Sequence, residues 1–142
     1  MNILKVLTKK REIGNFGEDA AAKLLQRSGY KILERNFVSN NAEIDIIAKN
    51  SEFTIFVEVK TRKYGVFNPS EPRPASAVTP DKQRAIIRAA RGYLTFNPSP
   101  RKVRLDIIEV YYEGDERHRC VRDIQHLEGA FNLDTATKGY RK

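Results

Sequence analysis

Between Asn41 and Thr61 the chain holds two β-prone runs, Glu43-Ile44-Asp45-Ile46-Ile47-Ala48 and Phe53-Thr54-Ile55-Phe56-Val57-Glu58-Val59-Lys60, on either side of Asn50-Ser51. Two runs rich in Ile, Val and Phe joined by a turn pair specify a β-hairpin. Side chains alternate along a strand. Ala42, Ile44, Ile46 and Ala48 are therefore expected on one face of the first strand, with Glu43, Asp45 and Ile47 on the other. In the second strand Phe53, Ile55, Val57 and Val59 share a face opposite Thr54, Phe56, Glu58 and Lys60. With Asn50-Ser51 as a two-residue turn, Lys49 faces Glu52 and Glu43 lies across from Glu58. Asp45 is then diagonal to Glu58, at roughly 7–8 Å between backbone positions. Three acids and a lysine converge on one sheet face.

A carboxylate among β-branched side chains is costly unless a cation or hydrogen bonds compensate it. Mg²⁺ or Mn²⁺ suits such a set, because Mg²⁺ takes oxygen ligands, needs few protein carboxylates and keeps waters for a substrate. The plain alternative is a half-exposed strand face whose acids pair with Lys60 across the hairpin. Asp45 diagonal to Glu58, with Lys60 on the same face, favours the metal site.

The length of 142 residues suits one domain with a modest core. Lys plus Arg number 26 against 18 Asp plus Glu, a net charge of +8, which favours a polyanionic partner. No apolar run approaches membrane-spanning length, so nucleic acid is the expected partner and a membrane is not. The single cysteine, Cys120, excludes a disulfide framework and a cysteine zinc cluster. His118 and His126 lack zinc-motif spacing and are expected in surface or packing roles. Lysines interrupt the first ten residues too early for a signal-peptide core, so a cytoplasmic location is expected.

The expected organisation is a basic segment over 1–10, one domain over 11–128 and a flexible basic tail over 129–142. Ile13, Phe16, Ala20, Leu24 and Leu25 recur at helical spacing, predicting a helix from Arg11 to Ser28 capped by Gly29. Gly14 and Gly17 in its first turns permit close approach of a backbone or ligand. Glu18 reads either as a solvated helix acid or as an acid aimed at the sheet. Tyr30 to Val38 reads as a strand burying Ile32 and Phe37 and ended by Arg35-Asn36. The proline-rich stretch Arg62 to Thr79 reads as a substrate-gripping loop, with Arg62, Lys63 and Arg73 as phosphate contacts, or as a plain connector.

Thr79-Pro80-Asp81 is a helix start. The helix is expected to run to about Leu94 and to bury Ala85, Ile86, Ala89, Ala90 and Tyr93. Lys82, Arg84, Arg88 and Arg91 give it a basic side, either a track for a phosphate backbone or a solvated face. Strands are expected over Lys102 to Tyr112 and, more weakly, Arg117 to Gln125.

Five stretches carry a resemblance. They are Gly14-Asn15-Phe16-Gly17-Glu18, Glu43-Ile44-Asp45-Ile46-Ile47-Ala48, Val57-Glu58-Val59-Lys60-Thr61-Arg62, Val78-Thr79-Pro80-Asp81-Lys82-Gln83-Arg84 and Arg104-Leu105-Asp106. Together they resemble the PD-(D/E)XK nuclease superfamily, and more closely the bacterial UPF0102 or YraN family, which is similar to archaeal Holliday-junction resolvases. The resemblance implies an α/β, restriction-endonuclease-like αβββαβ core with a mixed central sheet flanked by helices. It implies that Asp45 and Glu58 bind the divalent ion and that Lys60 positions the attacking water or stabilises the pentavalent phosphate. Glu18 matches a helix acid that approaches the metal in related nucleases, and Lys82 and Gln83 match a supporting position on the second helix. One departure is Ala42, where glycine is common in the family.

The expected function is a Mg²⁺-dependent endonuclease cutting DNA phosphodiester bonds, in branched or single-stranded structures. The alternative is a non-catalytic nucleic-acid-binding module, and a protein-interaction role is weaker still. A homodimer suits the first reading, since symmetric cutting of two strands needs two sites.

Overall fold

The computed structural model describes residues 2–69 and 78–131. Arg73 and residues 132–142, for which a phosphate contact and a tail were expected, lie outside the described residues. Helix α1 (Ile3–Arg27) is followed by strands β1 (Lys31–Ser39), β2 (Ala42–Lys49) and β3 (Phe53–Lys63), helix α2 (Pro80–Phe96), and strands β4 (Lys102–Glu113) and β5 (Cys120–Phe131). The five strands form one sheet in the order β1-β2-β3-β4-β5. All neighbours are antiparallel except β3 and β4, which are parallel and joined through α2. The expected αβββαβ core is present, and β5 extends the sheet beyond it.

Each helix covers one face. Ala21, Ala22 and Leu25 of α1 pack with Ile46, Ala48, Ile55, Val57, Ile108 and Val110. On the other face Ile86, Ile87, Ala89, Ala90 and Tyr93 of α2 pack with Ile44, Ile47, Phe56, Leu105 and Ile107. The central strands are thus buried on both sides, each fully buried aliphatic side chain contributing about 1.5–3 kcal/mol. Thr79 caps α2 as expected, its hydroxyl accepting the Lys82 N–H at 3.2 Å. Ile87 is buried where Ala85 was expected, and Ala85 is half-buried.

Four expectations are corrected. First, α1 begins at Ile3 rather than Arg11, so residues 3–10 are helix; Asn2 caps it, accepting the Leu4 N–H at 3.0 Å. Those turns bury no side chain, so burial periodicity could not reveal them.

Second, the hairpin connection is longer than two residues. The Asn50 side chain accepts the N–H groups of Glu52 and Phe53, and the Asn50 N–H donates to the Phe53 carbonyl. An asparagine that bonds its own backbone ahead makes such a turn by itself. The register becomes Lys49↔Thr54 to Ile46↔Val57, which aligns Asp45 rather than Glu43 with Glu58.

Third, β1 does not end at Arg35-Asn36. Asn36 takes a φ of 53°, a left-handed conformation that asparagine tolerates, and the strand continues to Ser39. Ile32 and Phe37 are half-buried. Opposite Asn36 the alternation in β2 switches: Ala42 and Ile44 pack under α2 with Ile47, whereas Ile46 and Ala48 pack under α1.

Fourth, β5 starts at Cys120 and runs to Phe131, past Gln125 and into the expected tail. The fully buried Asp106 ties it down. Its carboxylate accepts from Arg104 at 2.8 and 2.9 Å and from the Gly129 N–H at 3.0 Å, and meets His126 Nε2 at 2.7 Å. Burial pushes the Asp106 carboxyl up, but the bonds from His126, Arg104 and Gly129 overcome it and hold it below the usual range. His126 therefore has the packing role expected of it.

Helix α1 crosses β3 at Gly17, where a Cβ atom would lie 1.8 Å from Thr61 Oγ1. At Gly14 a Cβ would meet nothing within 4 Å. Gly17→Ala is expected to destabilise the protein by about 1–3 kcal/mol through overpacking. Gly14→Ala should be neutral or stabilising by up to about 1 kcal/mol, from helix propensity alone. Urea-unfolding midpoints of the two variants measure the difference.

Candidate metal centre

The β2–β3 backbone ladder stops at Ile46↔Val57. One residue further, the Val59 N–H donates to Asp45 Oδ2 at 2.8 Å. A side chain thus takes over where the ladder ends, and the Asp45 carboxylate is fixed at the fork between the strands. Glu58, between the two, is only 7 % exposed. Lys60 follows on the same face of β3, with Nζ 3.5 Å from Glu58 Oε1. The Asp45 and Glu58 carboxyls lie close enough for each to act on the ionisation of the other.

Burial raises the Glu58 carboxyl to about 7, and the charge of Asp45 adds to the effect while Lys82 and Lys60 oppose it. Burial also raises Asp45, against the Val59 N–H, Lys82, Glu58 and Lys60. Two neighbouring carboxyls do not both ionise freely, so the charge of Asp45 favours the protonated form of Glu58.

Helix α1 contributes a third acid. Seated on β3 by Gly17, it turns Glu18 toward the fork, where burial and then the charge of Asp45 raise its carboxyl to about 7. Arg35 partly compensates, 3.9 Å from Glu18 and 2.8 Å from Asp19. The Asn36 amide, with its nitrogen turned to the acids, donates to Glu18 and Glu43 at 2.9 Å each. Glu18 and Glu43 face a cavity of about 330 Å³ with Arg11, Gly14, Asn15 and Asn36. A second, of about 290 Å³, lies between Lys10, Ile13, Gly14 and the strand residues Val59, Lys60 and Thr61. Gly14 lines both, and its missing side chain keeps the space under α1 open.

The fold therefore gathers Glu18, Glu43, Asp45, Glu58 and Lys60, and brings the charge of Lys82 within range of the inner pair. It does not gather the rest. Gln83 donates to the Val78 carbonyl at 3.0 Å, inside its own helix start. Arg84 pairs with Asp81, while Lys63 and Arg88 are exposed. Arg62 turns inward onto Glu109 at 3.1 Å and stacks over the Phe67 ring. Arg35 and Asn36 are the residues that sequence reasoning missed. The signal was there, since a polar pair inside an apolar strand either ends it or is put to use.

Among the described residues no group of three or more His, Cys, Asp or Glu side chains is placed to hold a metal ion. Mg²⁺ does not require one, because one or two carboxylates suffice when waters and substrate oxygens fill the other positions. Two carboxyls at the fork, the buried Glu58 and the Asp45 fixed by the Val59 N–H, are a fitting oxygen donor set for such an ion.

The raised carboxyls set the sign of the pH dependence. Glu18 and Glu58 move from 4.5 to about 7 on folding, so over that interval the native state holds more protons than the unfolded chain. The stability of the metal-free protein is expected to fall as pH rises from about 4.5 to about 7, then level off. Glu58→Gln should flatten that slope in urea unfolding. Mn²⁺ affinity, by calorimetry, should rise between pH 6 and pH 8 as Glu18 and Glu58 give up their protons.

Known proteins are similar to this chain in sequence. The sequence profile of the uncharacterised protein family UPF0102 matches residues 17–110, a stretch that includes Glu18, Asp45, Glu58, Lys60 and Lys82. A UPF0102 protein of Syntrophotalea carbinolica is 42% identical over 127 residues, spanning 89% of this chain and 96% of the relative. One of Chlorobaculum parvum is 44% identical over 121 residues, 84% and 91% of the two chains. One of Flavobacterium psychrophilum is 38% identical over 125 residues, 88% and 98% of the two chains. The chain belongs to the uncharacterised protein family UPF0102.

Proposed function

We propose that this protein is a divalent-metal-dependent nuclease that hydrolyses phosphodiester bonds in DNA, with branched or single-stranded structures as its substrates. The observation that carries the reading is the buried Asp45–Glu58 pair with Lys60 on its rim. The resemblance to PD-(D/E)XK nucleases supports the same roles. Asp45, held by the Val59 N–H, and Glu58 would hold Mg²⁺ or Mn²⁺, with Glu18 approaching from the helix side. When bound, the ion supplies a water of lowered pKa and neutralises charge on the phosphoryl oxygens.

The chain's own groups do the remainder. Lys60 carries three donors at the edge of the buried pair and is 30% exposed, so it can reach a phosphate oxygen or the attacking water. Lys82 adds positive charge where a substrate's phosphate would enter, and the net charge of +8 draws a polyanion to the surface. The exposed Lys63 and Arg88 remain available for contacts to a nucleic-acid backbone outside the site.

That no three acidic, His or Cys side chains among the described residues are placed to hold an ion favours a second reading, a nucleic-acid binder whose acids serve structure. Calorimetry with Mn²⁺ and Mg²⁺ separates the two. The nuclease reading expects binding by the wild type and at least a ~10-fold loss in Asp45→Asn and in Glu58→Gln. Lys60→Ala should keep ion affinity within about threefold but lose about 10²–10³-fold in cleavage of single-stranded or branched DNA. A wild type that binds neither ion, even with DNA present, overturns the nuclease reading and leaves the binder.

A further inference from the structure

Gly14 and Gly17 lie about one turn apart in α1, and packing explains only the second. Gly17 must be small, because a Cβ there would lie 1.8 Å from Thr61 Oγ1. At Gly14 a Cβ would meet nothing within 4 Å, and the residue is not among the glycines with positive φ. A glycine inside a helix is destabilising relative to alanine, and at Gly14 no contact or dihedral among the described residues requires it. What Gly14 does have is space on two sides. It is common to the linings of the cavity of about 330 Å³ and the cavity of about 290 Å³.

Each space joins one part of the candidate site to one cation of α1. The first holds Glu18 and Glu43 with Arg11, and the second holds Lys60 with Lys10. Successive helix residues point about 100° apart, which sends Lys10 and Arg11 to different cavities. Both are exposed, and among the described residues neither is in an ion pair, whereas Lys9 is held by Glu116 at 2.9 Å. The gap under the helix is narrow. Helix and sheet meet at Gly17, only about 4.5 Å along the helix axis from Gly14. A duplex cannot enter between two elements that touch one turn away, but a single strand can lie there. Spaces of this size stand at the lower end for small-ligand sites, roughly 300 Å³, so each takes one nucleotide rather than a base pair.

We infer that a single-stranded segment of nucleic acid crosses beneath α1 at Gly14, with Arg11 and Lys10 each contacting a phosphate on either side of the crossing. The inference rests on the nucleic-acid partner proposed above and deepens it, adding the path of the strand, two phosphate contacts and the residue that selects a single strand over a duplex. Gly14 is that residue. A side chain there would stand in the crossing although its Cβ meets no protein atom. On this path the strand passes Glu18 on one side and Lys60 on the other.

The test reads binding rather than cleavage, by fluorescence anisotropy of a labelled oligodeoxynucleotide, single-stranded or annealed to its complement. Ca²⁺ is present, since it takes oxygen ligands and screens the acids from the phosphates. At equal salt the wild type should prefer the single strand. Gly14→Leu should weaken single-strand binding by about tenfold or more and Gly14→Ala by about threefold, with duplex binding unchanged in both. Their urea midpoints should be no lower than that of the wild type, because both residues favour the helix. Lys10→Gln and Arg11→Gln should each lower the slope of log affinity against log salt by about 0.7, the value for one phosphate of a single strand. Lys23→Gln, at an exposed lysine further along the same helix, should leave the slope unchanged. Gly14→Leu that binds the single strand like the wild type, or loses duplex affinity equally, overturns the inference. A wild type that binds neither form overturns it too, as do salt slopes that Lys10→Gln and Arg11→Gln leave unmoved. Should Gly14→Leu unfold more easily than the wild type, the slopes of these surface variants decide alone. A strand bound in this way but never cut would sink the nuclease reading and leave the inference standing.

Discussion

The bond from the Val59 N–H to the Asp45 carboxylate is the constraint on which the rest of the site depends. Two strands that part must satisfy the backbone groups they release, and here a side chain does so. The same carboxylate that completes the sheet is thereby fixed beside Glu58. It cannot be moved without freeing a backbone donor in the interior, so the sheet and the site share one interaction. The acids are placed by the ladder ending, rather than by a loop closing around them.

Such a placement is destabilising in isolation. Three carboxyls with raised pKa values are offset by little local charge, and the surrounding core must carry the difference. It does so from both faces, with α1 and α2 each pressing an aliphatic layer onto β2, β3 and β4. Gly17 sets how closely α1 can approach, and hence how near Glu18 comes to the fork. Energy gained across the whole sheet offsets the cost of burying like charges at one end of it.

The fold was largely legible in the sequence because its strongest signals are local. Thr79-Pro80-Asp81 announces α2, and Phe53 to Val59 form the near-continuous apolar run of a strand buried on both faces. The convergence of Asp45, Glu58 and Lys60 was legible too, since strand parity alone puts Glu58 and Lys60 on one face. What escaped was set by single asparagines. Asn50 lengthened the hairpin by bonding ahead to Glu52 and Phe53, which changed the partner of Glu58. Asn36 let β1 continue through a left-handed residue and went on to bridge two acids. The inward turn of Arg62 depends on Glu109, 47 residues away in the chain, and no local pattern encodes that distance.

The left-handed Asn36 has one more effect. Strand β1 is an outer strand, and a straight outer strand offers its unpaired N–H and C=O groups to any other chain that can lie alongside. The kink at Asn36, with the register shift between Ile32 and Glu34, interrupts that row of groups. At the opposite margin β5 is broken by two shifts of its own. The irregularity that brings an amide to Glu18 and Glu43 therefore also protects a basic, sheet-built protein from stacking edge to edge into aggregates.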